Sequence, residues 1–140
     1  MKRRRTHERG QAAVEFSAMF LVFLLITAGF IDLGRAVWHY NSLSSAAHVG
    51  SRYAMVHGST SGTPVGPGSC GSTLEGLVRS AVQGVAPATV AVACAWQDSS
   101  NAAGKDVTVT AVLAFSPTMA AFLPAATINM SATSRMRIMY

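Results

Sequence analysis

Residues 16–31 read FSAMFLVFLLITAGFI, sixteen positions without a charge. As a helix rising about 1.5 Å per residue, this run covers about 24 Å, short of a hydrocarbon core of roughly 30 Å. Extending it back to Gln11 gives about 32 Å, but only by taking Glu15 into or near the bilayer. Upstream lie Lys2, Arg3, Arg4, Arg5 and Arg9 against Glu8, while only Arg35 follows closely behind. That imbalance puts the N-terminus in the cytoplasm and the bulk of the chain outside the inner membrane. Trp38 and Tyr40 suit the far interface, where amphipathic rings collect.

The rest of the composition agrees. At 140 residues the chain holds one small domain and not two. Half of it is apolar and only 12% is charged, against roughly 25% in an average soluble domain. The net charge of +5 invites a nucleic-acid reading until it is located. Residues 1–10 carry +4 of it and the other 130 residues carry +1. The basicity is a short N-terminal tag, which excludes a basic groove for phosphates and with it a nucleic-acid partner.

Glu15 is the costly residue of the span, at about 2–3 kcal/mol near hydrocarbon unless it is paired or interfacial. One reading makes it the cytoplasmic end of the span, with Arg9 nearby. The sharper reading starts at Gly10. Cleavage after Gly10 frees an amine at Gln11, one helical turn before Glu15 and on the same face. The positive terminus and the carboxylate then neutralise each other, within one chain or between neighbours.

Arg9-Gly10-Gln11-Ala12-Ala13-Val14-Glu15-Phe16, the apolar run and Ile31-Asp32-Leu33-Gly34-Arg35 together resemble the N-terminus of TadE-like proteins. Ala46-Ala47 and Ser51-Arg52-Tyr53-Ala54 extend the likeness, which covers residues 9–54. These proteins are pseudopilins of the tight-adherence (Flp, type IVb) pilus. The resemblance implies cutting by a membrane prepilin peptidase after Gly10 and subunit docking through Glu15 and Phe16. It also implies partners among other pilins and an inner-membrane assembly platform, no cofactor, and a role in assembly. Many type IV pilins begin their mature chain with Phe, and Gln11 departs from that. An ordinary secretory signal peptide competes, with small residues at Thr27-Ala28-Gly29 but no strong A-x-A site. So does an uncleaved, single-pass anchor carrying a periplasmic binding module.

Beyond the span the helical pattern continues to about Val56. Leu33, Ala36, Tyr40, Leu43, Ala47, Gly50 and Ala54 recur at spacings of three and four and form a stripe of mostly small residues. Arg35, His39, Asn41, Ser45 and Arg52 lie opposite. The stripe serves either a domain core or close helix packing in an assembly. Residues 58–72, GSTSGTPVGPGSCGS, read as a linker without the pattern of a phosphate-binding loop. Ser72-Thr73-Leu74-Glu75 is a capping-box signature, and Leu74, Leu77, Val78, Ala81, Val82 and Val85 predict an amphipathic helix ending before Pro87.

Three alternating segments follow. Val90, Val92, Cys94 and Trp96 face one way in the first, and Val107, Val109, Ala111, Leu113 and Phe115 in the second. Ile128, Met130, Ala132, Met136 and Ile138 do so in the third. This alternation marks a sheet with one buried face, and the polar turn at 98–104 pairs the first two as a hairpin. Ser116-Pro117 starts a turn or short helix through Leu123, whose apolar Thr118–Leu123 stretch is either buried or a contact for partners or membrane. The expected fold is α+β and pilin-like, a long N-terminal helix packed on a small antiparallel sheet of about three strands. The organisation is a leader at 1–10, a helix at 11–57 that is transmembrane in 11–31, a loop at 58–73 and a helix-plus-sheet part at 74–140.

No chemistry of catalysis emerges. Cys70 and Cys94, outside the membrane, either pair or leave Cys94 as a core thiol and Cys70 free. A bond would close a loop of about 25 residues, worth roughly 3–4 kcal/mol on the chain-entropy account. Their spacing fits neither zinc nor C-x-x-C redox chemistry. His39, His48 and His57 fall nine apart, so His48 points away from the other two and no metal site follows. Glu75, Asp98 and Asp106 are too scattered to act as an acid–base pair, and the chain reads as no enzyme.

Overall fold

In a computed structural model of the chain, which describes residues 4–118 and 127–139, the alternating and helical patterns become five main elements. They are α1 (Arg4–Val56), α2 (Ser72–Ala81), β1 (Val90–Trp96), β2 (Asp106–Phe115) and β3 (Ile128–Arg137). The arrangement is α+β: the long apolar helix packs on a three-stranded antiparallel sheet of order β1-β2-β3. Two units make up the chain. One contains α1 up to Arg35 with Pro117 and Thr118, and the other runs from Ala36 to Ser116 and from Thr127 to Met139.

In the first unit the apolar run of α1 is largely exposed. Val14, Phe16, Met19, Leu21, Phe23 and Ile26 are all more than half exposed. It is the one helix, among the described residues, long and apolar enough to cross a membrane.

The second unit is built around the small residues of α1. Leu43, Ala46, Ala47 and Ala54 are buried with Leu74 and Val78 of α2 and with Val107, Val109, Ala111 and Leu113 of β2. At Gly50 both α2 and the sheet come close to the helix: a Cβ there would lie 2.5 Å from Val78 Cγ2 and 3.1 Å from Val109 Cγ1. The buried face differs from the expected stripe at its start. Leu33 and Tyr40 are exposed, whereas His39 is partly buried with its ring 5.8 Å from that of Phe115. The cover reaches α1 on the His39 side there, because β2 ends in Phe115.

β1 and β2 pair from Val90↔Leu113 to Trp96↔Val107, and β2 and β3 from Asp106↔Arg137 to Phe115↔Ile128. The inward residues follow the alternation, with two departures on β3. Ile128, expected inside, is half exposed at the strand's end. Ser134, which interrupts the apolar alternation, is buried.

Three local expectations are corrected. The capping box does not form: Gly71, at φ 72°, is the N-cap and α2 has no side-chain cap. Cys70 is tied to Cys94, and the left-handed turn at Gly71 starts the helix at once, so Ser72 is already inside it. The helix also stops at Ala81, before Val85. The Gln83 amide donates to Ser42 Oγ at 2.8 Å instead of continuing the helical ladder, and Gly84 turns the chain at φ 77°. Third, residues 58–72 are packed and not merely a linker. Val65 is buried, its amide donates to the His57 carbonyl at 2.8 Å, and its carbonyl accepts from Asn101 Nδ2 at 3.2 Å. The turn proposed from Ser116-Pro117 through Leu123 lies, after Thr118, outside the described residues.

On the outward face Asp106 accepts from Arg135 at 2.6 Å and from Arg137 at 3.4 Å. The Arg135 hydrogen bond, helped by both positive charges, holds the Asp106 carboxyl below its ordinary range. Its contribution to stability is therefore present above the unfolded-state pKa and is lost as pH falls through the lowered folded value. Asp106→Asn should flatten the loss of stability below roughly pH 4, measured by unfolding at a series of acid pH values. Gly50→Val should destabilise the sheet-bearing unit by roughly 1–3 kcal/mol, followed by circular dichroism of the detergent-solubilised chain in denaturant.

Candidate functional site

The residues singled out near the N-terminus lie on successive turns of α1. Gln11 and Glu15 are four apart, so their side chains meet, and Gln11 Nε2 donates to Glu15 Oε1 at 3.2 Å. Both are exposed. Gly10 lies within the helix, and a Cβ there would meet nothing within 4 Å, as at Gly29 and Gly34. Phe16 starts a ladder of rings, 5.9 Å from Phe20, which is 6.5 Å from Phe23. The hydroxyls within the run are satisfied by the helix itself. Ser17 Oγ donates to the Ala13 carbonyl at 2.7 Å and Thr27 Oγ1 to the Phe23 carbonyl at 2.8 Å. A helix that satisfies its own polar atoms is the kind that hydrocarbon tolerates. Glu15 is the one carboxylate among residues 10–31.

Just past the run, Asp32 performs a task that the sequence pattern assigns to no residue. Its carboxylate is buried and accepts from Arg35 Nη1 and from the Thr118 amide, both at 3.0 Å. Arg35 Nη1 also donates to Thr118 Oγ1 at 2.6 Å. The spacing of Asp32 and Arg35 announces their pairing, but nothing local announces a partner 86 positions away.

Cys70 and Cys94 form a disulfide, with Cα atoms 5.4 Å apart, which joins the loop before α2 to β1. The histidines stay separate. His57 stacks on Tyr53 with centroids 3.9 Å apart, and His48 reaches Ser134 Oγ with Nδ1 at 2.9 Å. Among the described residues no three His, Cys, Asp or Glu side chains are grouped to hold a metal ion. One groove of about 220 Å³ is bounded by Trp38, Ser42 and Gln83, and another of about 290 Å³ by Tyr53, Val65 and Ser72. Neither brings a carboxylate to a base.

Fold and N-terminal segment together define a class: an α+β domain on a single apolar helix suited to anchoring it in a membrane. Within that class, residues 10–52 match the family model of TadE-like protein, in agreement with the resemblance carried by Gly10, Glu15 and the apolar run. No curated protein and no solved structure matches the chain.

Asp32→Asn should speed hydrogen exchange at the Thr118 amide by about tenfold or more, because a bond to a charged acceptor is exchanged for one to a neutral carboxamide. Exchange mass spectrometry on a peptide spanning residues 113–118 reads this directly, and unchanged protection would refute the role given to Asp32.

Proposed function

We propose that this chain is a minor pilin or pseudopilin that takes part in assembling a tight-adherence (Flp, type IVb) pilus. A prepilin peptidase cuts between Gly10 and Gln11. The mature chain stays in the inner membrane through residues 11–31, or passes from there into the pilus, with its sheet-bearing part in the periplasm. The observation that carries this reading is the family match, which opens at Gly10 and spans the largely exposed apolar run. The five basic residues before the run support a cytoplasmic N-terminus.

The role is structural and not catalytic. Glu15 supplies the pairing charge and Phe16 the first ring of the contact surface. The partners are other pilins or pseudopilins and the inner-membrane assembly platform. A carboxylate near hydrocarbon gives the docking its direction, since an acceptable position is one that supplies a cation.

Intact mass of the membrane-extracted protein, with and without the host's peptidase, tests the processing. A chain starting at Gln11 only when the peptidase is present is expected. A start at Met1 in both would make this an uncleaved anchor for a periplasmic module, and a start near Phe30 a secreted protein. Glu15→Ala should lower co-purification with partner pilins by roughly tenfold or more. Normal recovery would remove Glu15 from the docking step.

A further inference from the structure

We infer that the N-terminus exposed by this processing does not persist as an ammonium group but closes on the Gln11 side chain to form pyroglutamate. The inference rests on the cleavage after Gly10 proposed above. Once Gln11 is the first residue, its α-amine lies three carbon atoms from its own side-chain carbonyl carbon, so attack closes an unstrained lactam. The amine nitrogen bonds to Cδ, the Cδ–Nε2 bond breaks, and Nε2 leaves as ammonia. The proton released by the amine goes to the departing nitrogen, and no oxidant or second substrate is needed.

The geometry favours this outcome at the leaving atom. Nε2 of Gln11 lies 3.2 Å from Glu15 Oε1, so the carboxylate stands beside the nitrogen that must gain a proton. The ammonium first gives one proton to water, and Glu15 can then take the proton that the attacking amine releases and deliver it to Nε2, as a general base and then a general acid. Gln11 is exposed, so no described residue blocks the ring from closing. The product also suits its place. An ammonium at a helix N-terminus opposes the positive end of the helix dipole, and a neutral lactam removes that charge.

The consequence falls on Glu15. Closure consumes the α-ammonium and the carboxamide donor together, so the chain no longer neutralises Glu15 from its own terminus. The carboxylate is left to a cation on another subunit, and pairing within a chain becomes pairing between chains.

The test is the chemical state of the N-terminus, captured before handling can change it. Protein extracted from membranes into cold neutral denaturant is amine-labelled at once and digested with chymotrypsin, and the peptide ending at Phe16 is weighed. The expected peptide starts at residue 11, carries no label and is lighter than QAAVEF by one ammonia. A labelled or methylated amine on Gln11 would overturn the inference and leave the processing intact. A peptide from Met1 would overturn both. Gln11→Ala should restore a labelled amine at the same start, and a terminus still blocked in that variant would show that something other than the lactam hides it. Glu15→Gln should lower the closed fraction several-fold at a matched time after synthesis, and an unchanged fraction would take the proton transfer away from Glu15.

Discussion

The sheet-bearing unit of this protein depends on how closely a helix can be approached at Gly50. With no side chain there, Val78 of α2 and Val109 of β2 both reach the backbone of α1. Ala46, Ala47 and Ala54 widen the same flat face. Larger residues would push the sheet outward and open voids around Leu43 and Leu74, which are fully buried now. Glycine within a helix costs about 1 kcal/mol relative to alanine, and the packing it admits outweighs that here. The other glycines of α1, Gly10, Gly29 and Gly34, have no such neighbour among the described residues. The same residue type therefore answers two demands along one helix.

Polar groups near the span are handled in two ways. Ser17 and Thr27 turn inward to the helix's own carbonyls, leaving nothing for a partner to satisfy. Asp32 is instead engaged from elsewhere in the chain, by the Thr118 amide, and by Arg35 one turn on. Its charge is compensated by the fold itself. Glu15 differs from both, since it is exposed and accepts from the neutral Gln11 carboxamide at 3.2 Å.

The sheet was legible in the sequence because alternation of period two is a property of the strand alone. Val107 to Phe115 shows it without a break. The apolar run was legible for a similar reason, since length and hydrophobicity need no partner to be read. What failed was set by contacts distant in sequence. Ser72 has the composition of a cap, but a disulfide to Cys94 and the turn at Gly71 settle where α2 begins. Val85 fits the amphipathic stripe, but Ser42 on another helix ends α2 first by taking the Gln83 amide. At the N-terminus the spacing of Gln11 and Glu15 puts them on one face a turn apart, and the bond between their side chains follows from that placement. The anchoring of Thr118 by Asp32 was not readable, because the two are joined only by the fold.

Ser134 shows why such a break in pattern is kept. The Ser51 hydroxyl donates to the His48 carbonyl at 3.1 Å, so its single proton is committed. It must then accept from Ser134 Oγ at 2.7 Å, which commits that proton as well. Ser134 can only accept from His48, at 2.9 Å, and the imidazole proton is thereby assigned to Nδ1. A closed ring of donors runs from His48 to Ser134 to Ser51 and back to His48. The arrangement also fixes register. Sliding β3 by two residues would bring Ala132 or Met136 to Ser51 and lose the hydrogen bond between the two serines, worth about 0.5–1.5 kcal/mol. An apolar residue at position 134 would hold the sheet against the helix as well, but it would not distinguish one register from the next.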